Sequence, residues 1–507
     1  MNTKTPFFNV AYRYGDAADR VIFPTFISNE AMTDPAMAKI AGSRFQKEHL
    51  IVDFGNLSMK FWHLKDFLRA RNEIAVKQLK KNNLPRFVEI VNRLCFEAIQ
   101  ITSRISRCDS GGALAVYSAV YQHYKKLCTY AYTANLLDRN LTDMLRSDLA
   151  SVLSDGSDIE KALLILTRNP RANFVYNHDL ELIALLNKHR RAARTEVIFS
   201  GHAKRWVGLF CGGGSSIANK EIVWQRIEEF SDLSRGQLLA KRADIYKQYR
   251  EAERGAVQLA KKLSLSKEII AKAELLKDAI LLKETRKLAM VRIDDAVNPV
   301  FEKMAVAAGI QAKNLKYLLP LETSSLLSRK KRSLLTDAFI DELKGRSLIV
   351  IKDGRSRRFF GDGFAQKIKA LGLEEELTKN AAPKDDGKSS RVGEKAPRVY
   401  EKKGFVACVG RIVGPARVVL SPADFHKVKT GDVLVASLTT PEYVSIFDRV
   451  AGMITFDGGG LTSHPATLAR EYHIPAILGL KDLDGVLSDG DLVEIDADNN
   501  KVTILGR

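Results

Sequence analysis

A polar segment near the carboxyl end, residues 378–403, sets the strongest limit on how this 507-residue chain folds. Its sequence, TKNAAPKDDGKSSRVGEKAPRVYEKK, has almost no large apolar side chain and is rich in Lys, Pro, Gly, Ser and Asp. Such a segment cannot bury enough apolar surface to offset its conformational entropy. We therefore predict three parts: a body at residues 1–375, a flexible linker at 376–403 and a compact domain at 404–507.

The body and the compact domain carry opposite net charge. The chain has 79 Lys+Arg and 60 Asp+Glu, a formal net charge of +19. From Gly404 to Arg507 there are 9 Lys+Arg and 13 Asp+Glu, so this part carries −4 and the preceding residues carry +23. A positive excess of this kind accompanies nucleic-acid binding, an acidic partner or polyanionic substrate, or simply Lys-rich solvated helix faces. Charge alone leaves these alternatives open.

The composition is typical of a globular protein, with 45% hydrophobic and 27% charged residues. No apolar run approaches the ~20 residues of a membrane helix, and the first residues lack the features of a signal peptide. We therefore expect a cytoplasmic protein without membrane contact. The five cysteines are far apart and never form a CxxC pair, so neither a disulfide framework nor a metal site is predicted.

The body is predicted to be mainly helical from about residue 60 to residue 345. Apolar residues recur at three- and four-residue spacing in segments such as 57–81 (LSMKFWHLKDFLRARNEIAVKQLKK) and 86–106 (RFVEIVNRLCFEAIQITSRIS). This spacing is typical of amphipathic helices that pack against one another.

Two further features complete the body. Residues 234–304 predict a long helical hairpin with a break near Ser264, and its second helix should end or kink at Pro299, which cannot donate the helical hydrogen bond. Residues 346–360 predict a β-hairpin, because a β-branched run and a second short strand flank a Lys-Asp-Gly turn. The Gly-rich stretch at 210–227 lacks a following GK[ST] and reads as a turn before a helix.

After the linker, short apolar runs alternate with Gly, Pro and Asp turns, and a helix is predicted at about 465–473. The fold class is therefore multidomain. A large, mainly α-helical amino-terminal region precedes a carboxyl-terminal α/β domain of β/β/α type.

The segment Gly458–Gly479, GGGLTSHPATLAREYHIPAILG, carries the chemistry. Pro465 suits the first turn of a helix, so His464 should lie at a helix amino terminus, where free N–H groups and the dipole favour an anion. A neutral imidazole keeps a lone pair that attacks phosphorus. Thr462 and Ser463 add hydroxyl groups, and Arg470 offers a planar charged fork to a phosphoryl group. The pattern predicts a phosphohistidine at His464.

This segment resembles the phosphohistidine swivel domain, or mobile domain, of the phosphoenolpyruvate-utilising enzymes, which include phosphoenolpyruvate synthase and rifampin phosphotransferase. The shared signature is approximately GG-x-TSH-x-A-x-x-AR-x-x-x-IPA-x-x-G. The residues that match it are Gly459, Gly460, Thr462, Ser463, His464, Ala466, Ala469, Arg470, Ile474, Pro475, Ala476 and Gly479. The resemblance covers about a hundred residues, and its chief departure is Pro465.

The resemblance implies a catalytic His464, supported at the phosphate by Gly459, Gly460, Thr462, Ser463 and Arg470. The helical body does not read as an ATP-grasp unit. ATP and Mg²⁺ are therefore expected on a separate ATP-grasp partner of a split enzyme, with release of AMP and phosphate.

In relatives with this order of parts, a helical region binds the acceptor. We accordingly expect a small hydroxylated substrate on the body, with His202, Arg205 and Arg286 as candidate ligands.

Two other functions stay open at this point. One is a non-enzymatic phosphohistidine carrier that regulates a partner protein. The other is nucleic-acid binding, which rests on charge alone without a stacking platform or motif and which we do not expect.

Overall fold

The computed structural model describes most of the chain. The described residues are 7–13, 22–41, 43, 48–54, 57–189, 195–206, 216–327, 336–344, 346–371, 373, 398–401, 404–420, 422–437, 439, 443, 446–447, 449–456, 464–472, 474–483 and 485–506. They belong to two compact units. The first unit comprises Met1–Leu137 and Thr285–Ser389, and the second comprises Asp138–Glu284 and Ser390–Arg507.

The amino-terminal third alternates between strands and helices before it becomes helical. Its elements are β1 (Phe7–Arg13), α1 (Ile22–Thr33), α2 (Pro35–Ala41), β2 (Glu48–Phe54), β3 (Leu57–His63), α3 (Leu64–Lys80), α4 (Leu84–Thr102) and α5 (Ser110–Ala131). Helix α4 packs against α5 through buried residues at helical spacing, among them Phe87, Val91 and Leu94. The helical prediction for 86–106 is confirmed as far as Thr102, and a short 3₁₀ segment follows.

The middle of the chain is helical. Its elements are α6 (Thr133–Ala150), α7 (Gly156–Thr167), α8 (Phe174–His189), α9 (Thr195–Trp206), α10 (Ser216–Ser231), α11 (Arg235–Lys262) and α12 (Lys267–Ala308). Helix α10 follows the Gly-rich stretch as expected, whereas 207–215 lie outside the described residues.

The two long helices of this segment and the break between them near Ser264 are confirmed as α11 and α12. Ser234 caps α11 through a capping box with Gln237, a local signal for the helix start. Helix α12 does not end at Pro299 but continues to Ala308. The residues on both sides of the proline, such as Val297 and Phe301, are buried, so tertiary packing holds the helix despite the missing donor.

The rest of the body consists of short helices and a hairpin. The elements are α13 (Ala312–Leu315), α14 (Pro320–Leu326), α15 (Asp337–Lys344), β4 (Arg346–Lys352), β5 (Arg355–Phe360) and α16 (Asp362–Leu371). The predicted hairpin at 346–360 is confirmed, with β4 and β5 antiparallel around Asp353 and Gly354, both at positive φ. Small or flexible residues suit such a turn.

The hairpin joins a sheet that the sequence did not predict. The strand order is β1-β3-β2-β4-β5, and every neighbouring pair is antiparallel. The helical prediction was therefore wrong for 57–63, which form β3. In LSMKFWH, Leu57, Met59 and Phe61 alternate with other residues, a period-2 pattern that suits a strand once β1 and β2 flank it.

A buried polar network holds the β4–β5 turn in the first unit. The carboxylate of Glu30 in α1 accepts hydrogen bonds from the hydroxyls of Tyr121 and Ser356. Lys125 Nζ pairs with Asp34 at 2.9 Å and donates to the carbonyl of Gly354 at 2.6 Å. Burial raises the pKa of Glu30, and these hydrogen bonds only partly oppose that shift. The network links residues distant in sequence.

The carboxyl-terminal domain is built on one eight-stranded sheet. Its elements are β6 (Arg398–Glu401), β7 (Phe405–Cys408), β8 (Arg411–Val418), β9 (Asp432–Ala436), β10 (Val450–Thr455), α17 (His464–Glu471), β11 (Ala476–Leu478), β12 (Leu492–Asp496) and β13 (Lys501–Gly506). The strand order is β6-β13-β12-β8-β9-β10-β11-β7. Strands β8 to β11 are mutually parallel, and the remaining pairs are antiparallel.

Most of the predicted linker, 376–403, lies outside the described residues, and the domain boundaries remain predictions. The end of this segment differs from a linker, because Arg398–Glu401 form β6, the edge strand of the sheet, which pairs with β13. Val399 and Tyr400 suit a strand, and Tyr400 packs against the core of the domain. No helix in the described part of the chain has the length and apolar composition needed to cross a bilayer.

Candidate functional site

Helix α17 begins at the carboxyl edge of the parallel strands. It follows β10, runs back along the sheet and leads into β11, which is parallel to β10. Loops at this edge of a parallel sheet are where ligands bind in open α/β folds. His464 is the first residue of α17, as the sequence predicted, so its backbone lies at the amino terminus of the helix.

The packing of α17 explains the spacing of its motif. Ala466, Leu468 and Ala469 are buried against the sheet, where small residues allow close approach. Gly459, Gly460, Thr462 and Ser463 lie outside the described residues, and so does the side chain of His464. Their roles at the phosphate therefore remain predictions.

Arg470 lies in the last turn of α17 and is only 7% exposed. Its guanidinium is close enough to Cys408 in β7 for its charge to act on the thiol. Burial is the larger effect and raises the pKa of Cys408 to about 11, so the thiol is protonated at neutral pH. Arg470 thus brings a permanent positive charge into the interior between α17 and β7.

The candidate residues His202 and Arg205 lie together on α9 and share one carboxylate. Glu181 Oε1 is 3.2 Å from His202 Nδ1 and 3.0 Å from Arg205 Nη1, and its Oε2 accepts a hydrogen bond from Trp206 Nε1 at 3.1 Å. Burial tends to raise the pKa of Glu181, but the hydrogen bond from His202 and the charge of Arg205 lower it overall. His202 is buried, whereas the side chain of Arg205 is 59% exposed.

A second histidine, His178 of α8, completes this cluster. Its ring centroid lies 4.7 Å from that of His202, and its Nδ1 lies 2.9 Å from Asp179 Oδ1. Arg226 of α10 binds both oxygens of Asp179, at 2.8 and 2.6 Å. Burial lowers the pKa of His178, and the contact with Asp179 only partly opposes it, so the ring is neutral at pH 7.

The cluster lies next to the carboxyl-terminal domain. Helices α8, α9 and α10 contribute residues such as Leu182, Phe199 and Ile227 to one apolar cluster with the sheet and α17. Burial tends to lower the pKa of Arg226, whereas Asp179 and, more weakly, Tyr472 after α17 raise it. The three helices are thus a platform beneath this domain.

Arg286, the third candidate, lies in the first unit on α12. Its guanidinium carbon lies 4.4 Å from the centroid of the Tyr132 ring, and its Nη1 donates to Asn135 Oδ1. It belongs to a different unit from His202 and Arg205, so the three candidates do not form a single described cluster.

Sequence reasoning missed His178, Asp179, Glu181 and Arg226. A signal was available, because the run His-Asp-Leu-Glu at 178–181 places three polar residues within the apolar helix FVYNHDLELIALLNKH. In the described part of the chain, no group of three or more His, Cys, Asp or Glu side chains is arranged to hold a metal ion.

Comparison with known proteins agrees with this geometry. Residues 428–500 match the family model described as "PEP-utilising enzyme, mobile domain". These residues are therefore similar to the mobile domain of the phosphoenolpyruvate-utilising enzymes. The match contains β9, β10, α17, β11 and β12, and therefore His464 and the parallel edge at which it lies.

Three relatives share this similarity. The chain is 39% identical over 104 residues to the "Uncharacterized phosphotransferase YvkC" of Bacillus subtilis, covering 20% of this chain and 12% of that protein. It is 34% identical over 102 residues to the rifampicin phosphotransferase of Streptomyces sviceus, covering 20% and 12%. It is 31% identical over 175 residues to the phosphoenolpyruvate synthase of Pseudomonas aeruginosa, covering 33% and 21%.

The chain therefore spans less than a quarter of the length of each of these relatives. The match to the Pseudomonas protein is longer than the segment from Gly404 to Arg507, so it includes residues upstream of the mobile domain.

Proposed function

We propose that this protein is the phosphohistidine subunit of a phosphotransferase, which receives a phosphoryl group on His464 and passes it to a small hydroxylated acceptor. One observation carries the proposal: the mobile domain starts α17 at His464, at the carboxyl edge of four parallel strands. Backbone N–H groups at a helix start favour the phosphoryl anion there.

We assign the charging step to a separate ATP-grasp protein that holds ATP and Mg²⁺. An imidazole nitrogen of His464 attacks the β-phosphorus, an N–P bond forms, and the bond to the α-phosphate oxygen breaks to release AMP. One water then removes the γ-phosphate as inorganic phosphate, which leaves the β-phosphoryl group on the histidine. Arg470 supports this step by its buried positive charge within the same helix.

The transfer step reverses the bonding at the histidine. The acceptor oxygen forms an O–P bond as the N–P bond breaks, and the hydroxyl proton leaves to a base, so the imidazole returns to its starting state. We place the acceptor on the helical body. The basic side chains there would balance the charge that develops on the phosphoryl oxygens.

The test is labelling of the full chain with ATP carrying ³²P at the β or γ position, with and without the candidate ATP-grasp protein. We expect acid-labile β-label, no retained γ-label, and complete loss of label in His464→Asn. His426→Asn is the matched control, because His426 is an exposed histidine of the same domain and its loss should leave labelling intact. Labelling of His464→Asn would overturn the assignment.

A second measurement separates an enzyme from a carrier. The labelled protein is mixed with small hydroxylated compounds, and release of label to a small phosphate ester is followed. Transfer to a compound supports the enzyme. If only another protein removes the label, the chain is a phosphohistidine carrier.

A further inference from the structure

Arg286 is a buried cation for which the described residues supply no carboxylate partner. The residue is 8% exposed, yet no carboxylate of the described residues lies within the 4.0 Å of an ion pair. Its Nε is buried and has no hydrogen-bond partner within the described part of the chain. A guanidinium cannot lose its proton to escape this cost, because it stays charged in proteins.

The described groups that contact Arg286 do not supply a negative charge. Tyr132 contributes a ring face and Asn135 a carbonyl oxygen. Burial raises the pKa values of Tyr132 and Cys128 despite the nearby charge of Arg286, so the phenol and the thiol stay neutral at pH 7. The hydroxyl Oγ1 of Thr133, next to Tyr132, is also buried and has no partner among the described residues.

Another buried arginine of the same unit shows what a structural guanidinium looks like. Arg358 Nε is 3.2 Å from Glu322 Oε1, and Arg358 Nη2 donates to the carbonyl of Tyr317 at 2.8 Å. Buried charges are ordinarily paired in this way, since an unpaired charge in the interior is costly. Arg358 thus has a carboxylate partner, whereas Arg286 has none among the described residues.

A small ligand could reach the site. Tyr132 and Asn135, which contact the guanidinium, are only half-buried, so Arg286 lies just beneath a partly exposed rim. The planar fork of an arginine matches the two oxygens of a carboxylate or a phosphate.

We propose that Arg286 binds the anionic group, carboxylate or phosphate, of a small molecule at this rim. Under the proposed function, that molecule is the phosphoryl acceptor, so the acceptor is a hydroxylated anion rather than a neutral alcohol. The identification of this molecule as the acceptor rests on the proposed function, whereas the anion site does not.

The test is direct binding to the full chain, measured by calorimetry. The probes are inorganic phosphate and glycolate, which separate a phosphate from a carboxylate site, and ethylene glycol is the neutral control. We expect one of the two anions to bind and ethylene glycol not to bind. Arg286→Gln should weaken that binding at least ~10-fold, because a charge-assisted fork is lost. Arg93→Gln, which removes an exposed charge from the same unit, should leave it unchanged.

Stability without ligand is the second readout. A guanidinium that pairs only with a ligand should not be needed for the stability of the ligand-free protein. Arg286→Gln should therefore keep or raise the Tm measured without ligand. If Arg286→Gln fails to fold, the guanidinium stabilises the ligand-free protein, and the proposed anion site is wrong. Absence of binding by both anions, or equal affinity in wild type and Arg286→Gln, would also overturn it.

Discharge of labelled His464 separates this inference from the proposed function. With a hydroxylated anion as acceptor, Arg286→Gln should raise the acceptor KM at least ~10-fold and change kcat less, as expected for lost binding. If Arg286→Gln is labelled and discharged like the wild type, only the assignment of the bound anion as the acceptor is refuted. Anion binding at Arg286 without any labelling of His464 would refute the proposed function alone.

Discussion

The carboxyl-terminal domain and the first unit bury different kinds of residue. In the carboxyl-terminal domain, both faces of the sheet are covered by apolar side chains, and the strand Asp432–Ala436 is buried along its whole length. The first unit buries Glu30 of α1, Arg286 of α12 and Arg358 of β5. The interior of the carboxyl-terminal domain is thus mainly an apolar scaffold for a loop, whereas the first unit also buries charged side chains that contact distant segments.

This difference decides where function can be recognised. The chemistry of the carboxyl-terminal domain lies in one contiguous motif around His464. The polar pairs of the first unit join distant residues, as in the bond between Ser356 and Glu30, 326 positions apart. A pattern search along the chain finds the first kind of site and misses the second.

The largest stability effect should come from breaking a buried pair of the first unit. Arg358→Met removes the cation that pairs with Glu322 Oε1 and the donor to the Tyr317 carbonyl, and we expect the free energy of unfolding to fall by about 3–5 kcal/mol. Chemical denaturation followed by circular dichroism measures this change.

The matched variant lies in the carboxyl-terminal domain. Arg411 pairs with Glu494 on the surface and its side chain is 64% exposed, so Arg411→Met should cause no measurable loss. Equal effects of the two variants would contradict the contrast between the regions.

A smaller effect is expected from overpacking the sheet. A Cβ at Gly452 of β10 would lie 2.7 Å from Ile412 Cγ2 and 2.9 Å from Ile495 Cδ1. Gly452→Ala should therefore cost about 1–3 kcal/mol, measured as a lower Tm. Gly363→Ala in α16 of the first unit is the control, because no atom lies within 4 Å of its Cβ, and it should not destabilise the protein. An unchanged Tm in Gly452→Ala would show that the side chains around Gly452 can move to accommodate the added methyl group.

The smallest effect concerns pH. Burial raises the pKa of Asp294 to about 8, although Tyr124 and Lys316 oppose the shift, whereas the unfolded value is about 3.9. The folded state therefore binds the extra proton between these values, and stability falls as pH rises from about 4 to about 8.

Asp294→Asn should remove this slope and stabilise the protein at pH 8 by about 1–2 kcal/mol, while it changes little at pH 4. Tm values across this pH range test the expectation. Asp362→Asn, at an exposed position of the same unit, should keep the wild-type slope. An unchanged slope in Asp294→Asn would exclude Asp294 as its source.

Local signals made part of the fold predictable. The capping box at Ser234 starts α11, and the helix start at His464 follows from the proline after it. The segment 57–63 was misassigned because its apolar residues fit the spacing of a helix as well as that of a strand. Only its pairing with β1 and β2 selects the strand. The sheet that joins β2 to β4 brings together segments nearly 300 residues apart, so no local pattern announces it.

By itself, the sequence determined the mobile domain, its likeness to the phosphoenolpyruvate-utilising enzymes and the position of His464 at a helix start. These depend on residues adjacent in the chain, whose backbone preferences act locally. Only the tertiary structure decided that His178 and His202 lie together beside Asp179 and Glu181 and that Arg286 lacks a carboxylate partner among the described residues. Burial and charge pairing depend on which distant segments pack together, and that is a property of the whole fold.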